Sequence, residues 1–266
     1  MPERVARIVT LNNGVVMPAL GLGVWGMREG EETERAVSWA LEAGYRLIDT
    51  AKLYGNEASV GKAVRASRIP REEIFVTTKL WPTDFTHVEA AFERSFKKLD
   101  LGYIDLYLIH FPLAFVPGFG AVRSKIWQMF EKFYAQKRVR AIGVSNYGIR
   151  QLEEVMTRGT IPPAVNQIKF NPFVYKRDLL EFCRSKNIAV EAYSPLTRGH
   201  RLGHRAIQKL AAAHGRSPAQ ILIRWALQHG TIVIPKSSNK ERIAANAHVF
   251  DFELTQEEMT SLDGLS

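Results

Sequence analysis

The chain has 266 residues with a hydrophobic share of 46%, enough to build a large core as one closed α/β barrel or as two smaller domains. Its apolar runs are short, so nothing approaches the roughly 20 residues of a membrane span, and no apolar stretch follows the charges at its start, so no secretory signal is expected. The net charge of +9 is scattered without a basic block or an aromatic-interleaved stripe, and the single cysteine, Cys183, excludes an internal disulfide; these features argue against nucleic acid and make a cytoplasmic protein the simplest expectation.

Short β-like runs alternate with amphipathic helical stretches. A hairpin turn is expected at Asn12-Asn13-Gly14, followed by a first strand over 17–23. Helix 31–43 ends at Gly44. Strand 45–49, helix 57–67, strand 74–79, helix 88–99 and strand 104–110 come next. They are followed by helix 124–136, strand 139–144, helix 149–156, strand 165–168, helix 177–185 and strand 188–192. Helices 203–213 and 218–228 precede strand 231–234. One last helix starts near Asn239 and another near Thr255, where Thr-Gln-Glu-Glu is a capping box. Eight strands alternating with helices point to a parallel sheet, and the continuously apolar strand cores point to one covered on both faces. No linker or composition shift marks a boundary. The expected architecture is a single (β/α)8 TIM barrel over 1–266, with an N-terminal β-hairpin and extra C-terminal helices.

In such a barrel, chemistry sits at the C-terminal ends of the strands. Asp49, Lys79 and His110 end strands two, three and four. Ser145 and Asn146 follow strand five, Gln167 lies late in strand six, and Tyr193 and Lys236 follow strands seven and eight. A single such residue reads as a cap or turn group. Polar groups at so many successive tips read as a site.

Two motifs point elsewhere. Gly21-Leu22-Gly23-Val24-Trp25-Gly26 matches the dinucleotide pattern, with Asp49 at the expected distance. Its glycines do not open a helix directly, because residues 28–30 intervene, so a tight rim loop is expected. Gly143-Val144-Ser145-Asn146-Tyr147 nearly matches a nucleophile elbow but has Tyr at its fifth position. No P-loop, His-Glu-x-x-His or cysteine pair is present, and no metal site is expected.

Reducing a carbonyl requires hydride at carbon and a proton at oxygen. A tyrosine gives up that proton readily if an ammonium lowers its pKa from about 10. Lys79 can supply the ammonium, provided Asp49 holds it charged. His110 can donate a hydrogen bond to the developing oxyanion. Asp49, Tyr54, Lys79 and His110 thus form a coherent proton-delivery set.

The chain resembles the aldo-keto reductase family along nearly its whole length. The resemblance rests on Asp-Thr-Ala-Lys-Leu-Tyr-Gly-Asn-Glu at 49–57, Thr-Lys-Leu-Trp at 78–81, Leu-Tyr-Leu-Ile-His-Phe-Pro at 106–112 and Ile-Gly-Val-Ser-Asn-Tyr at 142–147. It continues through Asn166-Gln167, Ala-Tyr-Ser-Pro-Leu at 192–196 and Ile-Pro-Lys-Ser at 234–237. The likeness is to the short prokaryotic members, which include diketogluconate reductases. It implies the tetrad Asp49, Tyr54, Lys79 and His110, with Tyr54 as general acid in reduction and base in oxidation. It implies that Ser145, Asn146 and Gln167 hold the nicotinamide carboxamide, that Tyr193 stacks on the ring and that Ser194 and Leu196 touch the pyrophosphate. Lys236, Ser237, Arg242 and Asn246 match positions gripping the adenosine ribose, its 2′-phosphate and the adenine, so the implied cofactor is NADPH/NADP+. A basic pair at a helix start suits such a phosphate.

Trp25, Trp81 and Phe111 match rim positions of an aromatic substrate pocket. Phe111 stands where relatives often carry Trp, and Lys137 where many have Gly. The loop over 113–123 is shorter than in vertebrate relatives, and the short basic loop 197–201 implies a reduced cofactor-covering belt. The expected activity is NADPH-dependent reduction of aldehydes, ketones or keto-sugars by a monomer acting on a small-molecule carbonyl or alcohol. The alternative is a catalytically weak, NADPH-sensing binding protein of the same fold.

Overall fold

The computed structural model describes residues 7–113 and 119–265. Two short strands, β1 (Ile8–Thr10) and β2 (Val16–Pro18), form an antiparallel hairpin. Gly14, at φ +81 in its turn, occupies a conformation that costs glycine little. The expected first strand over 17–23 is therefore divided. Its start pairs in the hairpin as β2, and its second half joins the barrel, with Leu20 bridged to Val233 and β3 (Leu22–Gly23) paired to the next strand. An apolar run shows that both stretches are buried but not which partner each takes.

Among the described residues, eight strands form one parallel sheet in chain order from β3 to β10. They are β3, β4 (Leu47–Asp49), β5 (Phe75–Leu80), β6 (Ile104–Ile109), β7 (Val139–Ser145), β8 (Val165–Lys169), β9 (Ala189–Tyr193) and β10 (Ile232–Ile234). The ring closes where the Gly21 amide donates to the Val233 carbonyl (2.9 Å) and the Val233 amide to the Ala19 carbonyl (2.8 Å). The helices that return the chain between strands are α1 (Glu31–Glu42), α2 (Glu57–Ala66), α3 (Val88–Leu99), α4 (Phe119–Ala135), α5 (Ile149–Arg158) and α6 (Arg177–Ser185). They are joined by α7 (Arg205–His214), α8 (Pro218–Gln228), α9 (Lys240–Ala247) and α10 (Gln256–Asp263). The capping box expected at Thr255 is formed with Glu258 and starts α10. The expected loop 113–123 gives way to α4 at Phe119, and its residues 114–118 lie outside the described residues.

Strand alternation divides the core into two. Ile48, Val76, Tyr107, Ile142, Val190 and Val233 join the cluster shared with the helices. Leu47, Phe75, Leu106, Leu108, Val165 and Ile232 form a second cluster inside the barrel, together with Leu11 and Met17 of the hairpin. Asn12 and Asn13 donate to the carbonyls of Pro163 and Arg140, just before β8 and early in β7, so the hairpin covers the N-terminal end of the barrel. With both strand faces covered, the strands lack polar alternation. Going toward the C-terminal end, the inward positions change from this apolar cluster to Asp49, Lys79 and Gln167, which bond to one another.

The glycine pattern at 21–26 serves packing. A Cβ on Gly21 would stand 2.4 Å from Leu47 Cγ, well inside contact distance, and α1 does not begin until Glu31. The expected rim loop is what forms.

Candidate active site

Asp49 and Lys79 lie at the C-terminal ends of adjacent strands β4 and β5. Lys79 is completely buried. Its Nζ donates to Asp49 Oδ1 (2.6 Å), to the Thr50 carbonyl (2.8 Å) and to Tyr54 OH (3.4 Å). Tyr54 comes from the short 3-10 turn after β4, which ends at Gly55 in the left-handed region, and Lys79 Nζ also lies 4.9 Å from the Tyr54 ring centre. Burial pushes Lys79 down, but Asp49 and the other acidic groups around it outweigh that and hold its pKa above the usual lysine value. Burial raises the Asp49 carboxyl while Lys79 pulls it back. With the ammonium on one oxygen and the Gln167 Nε2–H on the other (2.7 Å), the ion pair is the form the geometry supports.

Tyr54 departs from the sequence expectation. Burial raises its phenol to about 12, and Lys79 offsets only part of that rise. The structure therefore holds a neutral phenol, the protonated state a general acid needs, with an ammonium beside it to receive the phenolate. His110 follows β6 and meets the rings of Tyr54 and Trp81 edge-on, at 5.7 and 5.0 Å between centres. Burial, then Lys79, lowers its pKa to about 3. The imidazole is neutral and can donate one N–H, and its buried Nδ1 has no partner among the described residues.

Asn146 links three other expected site residues. Held at φ +64, it donates from Nδ2 to the His110 carbonyl and to Ser145 Oγ (both 3.0 Å), while its Oδ1 accepts from Tyr193 OH (2.8 Å). Both amide hydrogens are thus used within the protein, and the half-buried Tyr193 ring is oriented by its hydroxyl. Ser194 is left-handed at φ +50, and its carbonyl accepts from Asn171 Nδ2 (3.1 Å). Leu196 immediately precedes the 3-10 turn Thr197–Gly199. Trp25 is 47% exposed and lies 4.5 Å under the Arg198 guanidinium, so the loop after β9 reaches across to the loop after β3. Trp81 and Phe111, half-buried, follow β5 and β6.

Lys236, Ser237, Arg242 and Asn246 gather after β10 and along α9. Asn239 caps α9 by accepting from the Arg242 amide (2.8 Å). Lys236 and Arg242 are exposed, whereas Ser237 and Asn246 are buried. A groove lined by Arg28, Glu32, Arg35, Trp39 and Ser238 opens on this side of the barrel. Among the described residues, no three His, Cys, Asp or Glu side chains are grouped to hold a metal ion, and no helix is long and apolar enough to cross a membrane.

Sequence reasoning missed two residues here. Glu191 on β9 is fully buried and accepts from Gln167 Nε2 at 2.7 Å; its signal was one charge inside an otherwise apolar strand. Arg198 carried no signal beyond its basic loop.

A parallel barrel with a neutral phenol, a buried ammonium–carboxylate pair and a neutral imidazole at its C-terminal mouth is equipped to move a proton to or from a substrate oxygen, as a barrel oxidoreductase must. The chain belongs to the aldo/keto reductase family, whose model matches residues 19–266. It is 49% identical to a 9,11-endoperoxide prostaglandin H2 reductase of Trypanosoma cruzi, covering 97% of this chain and 91% of the relative. It is 43% identical to a glyoxal reductase of Bacillus subtilis, covering 100% and 95%. The crystal structure of an aldo/keto reductase from Brucella melitensis superposes with a TM-score of 0.92 at 42% identity, covering 98% and 99% of the two chains.

Proposed function

We propose that the protein is an NADPH-dependent carbonyl reductase in which Tyr54 is the general acid. The carrying observation is the Tyr54 hydroxyl, kept neutral by burial and set 3.4 Å from a fully buried ammonium. The donor set suits a phosphorylated nicotinamide dinucleotide. Exposed Lys236 and Arg242 at the start of α9 suit a 2′-phosphate, with Ser237 and Asn246 toward the adenosine. Tyr193 offers a ring face oriented by its hydroxyl, while Ser145, Asn146 and Gln167 surround the carboxamide and Ser194 and Leu196 border the pyrophosphate. When bound, the reduced cofactor supplies hydride to the carbonyl carbon.

The protein's part is positioning and proton delivery. His110 donates its N–H to the substrate oxygen. As negative charge develops there, Tyr54 OH gives it the proton, and the resulting phenolate is stabilised by the Lys79 ammonium. Asp49 keeps Lys79 charged throughout. Trp25, Trp81 and Phe111 shape an apolar mouth that excludes water from the reacting carbon. In oxidation the same phenolate takes the proton back. We assign the whole activity to one barrel, acting as a monomer in the cytoplasm on a small carbonyl or alcohol; the name of the glyoxal reductase relative points to the same class of substrate.

The test is NADPH oxidation with a panel of aldehydes, ketones and keto-sugars, run with wild type and Tyr54→Phe. Wild type should consume NADPH with at least one carbonyl. The variant should lose about 10²- to 10⁴-fold in kcat while binding NADPH within about twofold of wild type. Tight NADPH binding without consumption would favour a cofactor sensor. Equal turnover by the variant would refute the acid role.

A further inference from the structure

Glu191 is a buried acid of this region that the reaction above does not use. It lies on β9 two residues before Tyr193, in register with Gln167 of β8 and Ile232 of β10. Ala189 and Tyr193, at the same phase of the strand, pack on the cluster inside the barrel, so Glu191 points into that interior, one step below the catalytic mouth. It is 0% exposed. Its Oε2 accepts from Gln167 Nε2 (2.7 Å), and its buried Oε1 has no partner among the described residues. The groups that face it are Asp49 from β4, Lys79 from β5 and the Tyr54 phenol, with apolar Ile232 alongside.

Two consequences follow from this placement. Gln167 Nε2 carries two hydrogens, and both are taken by carboxyl oxygens, Asp49 Oδ2 and Glu191 Oε2, each at 2.7 Å. Only the NH₂ end of an amide can face two such acceptors. The Gln167 oxygen is therefore turned away from them and receives no hydrogen bond among the described residues. The second consequence concerns charge. An ionised Glu191 would be a buried anion with a single neutral donor, beside a carboxylate that already neutralises Lys79. Such a group keeps its proton.

We propose that Glu191 is a positioning residue of the reaction: as a neutral acid it helps fix the Gln167 amide with its oxygen toward the cofactor and keeps the charge around Lys79 balanced, and its ionisation slows reduction. This rests on the carbonyl-reductase reading. Burial first, then Asp49, pushes Glu191 up to about 8. When it ionises, a second negative charge faces Lys79 and raises the phenol of Tyr54. The phenolate left after proton transfer is then less stable, so the forward step slows. One unit of lost acidity at Tyr54 is worth up to about tenfold in that step.

The experiment compares Glu191→Gln with wild type. Glutamine keeps the shape and the acceptor for Gln167 but cannot ionise. Wild-type kcat for reduction should fall about tenfold between pH near 7 and pH near 9.5, as expected for a group titrating at about 8; in the variant the fall should shrink to less than about twofold. Infrared difference spectra of the wild-type protein alone should show a protonated carboxylic acid that ionises near pH 8 and is missing in the variant. The same pH profile in both proteins would overturn the proposal, as would a carboxylate band already ionised at neutral pH. A wild-type enzyme that consumes NADPH with no carbonyl would instead overturn the reading on which the proposal rests, and the infrared band would still report the proton on Glu191.

Discussion

Asp49→Asn should destabilise the protein in a manner governed by pH. Lys79 is completely buried, and its ammonium stands 2.6 Å from Asp49 Oδ1. At that distance, with an effective dielectric constant near 20, the attraction is about 6 kcal/mol. Much of it offsets the cost of taking both charges out of water. Removing one partner leaves the other buried and uncompensated, and such changes cost about 3–5 kcal/mol. Glu191 reduces that figure. Its proton is held by burial first and by the Asp49 charge second, so without Asp49 it ionises more readily and partly replaces the lost charge. The expected loss at pH 7 is therefore near the lower end, about 3 kcal/mol, measured by urea denaturation.

In the variant, Lys79 has a folded pKa below its unfolded value, so the unfolded state binds more protons between the two. Stability then rises with pH across that window. In wild type the folded pKa of Lys79 is raised, so its contribution is complete at neutral pH and is lost only above the unfolded value, near 10.4. The gap between the proteins should narrow steadily as pH rises from 7 to about 10. A gap below about 1 kcal/mol at pH 7, or one that does not change with pH, would refute the account of Lys79 as a buried, charge-dependent ammonium.

Lys236→Ala with Arg242→Ala should weaken NADPH binding by about 10- to 100-fold and NADH by less than about threefold, because each lost charge-assisted bond is worth about 1.5–3 kcal/mol, partly screened at exposed side chains. Fluorescence titration with both cofactors checks this, and an unchanged preference would remove the phosphate clamp. His110 is held neutral down to about 3 by burial, then by Lys79. The folded state thus binds fewer protons than the unfolded state below about 6.5, and stability is lost as pH falls through that window. Between about pH 6.5 and pH 5, wild type should lose about 1–2 kcal/mol more than His110→Gln; parallel denaturation curves would contradict this. Lys137 sits at φ +56 before β7, a strained position for a side chain with a Cβ. Lys137→Gly should stabilise by about 0.5–1 kcal/mol, raising Tm by about 2 °C by calorimetry, and a lower Tm would show that the turn is not strained.

The order of strands and helices was legible in the sequence because each barrel unit is local. A buried strand, a turn and an amphipathic helix follow within some thirty residues, and Gly44, Thr255 and Pro218 mark ends by their own backbone chemistry. The reactive residues were legible for a related reason. Parallel strands all end at the same mouth, so Asp49, Lys79, His110 and Gln167, far apart in sequence, converge once the barrel is assumed. Three features needed the closed tertiary structure. The run over 17–23 is divided because Met17 packs on the interior from below while Leu22 pairs with Ile48, and partners are not written in an apolar run. Tyr54 stays a neutral phenol because burial outweighs the ammonium beside it, a balance set by how completely the mouth excludes water. Glu191 reads in sequence as one stray acid in β9. Strand pairing brings it to Gln167 and the closed ring brings it to Asp49, because a charge takes its meaning from distance and dielectric, and neither exists until the chain has folded.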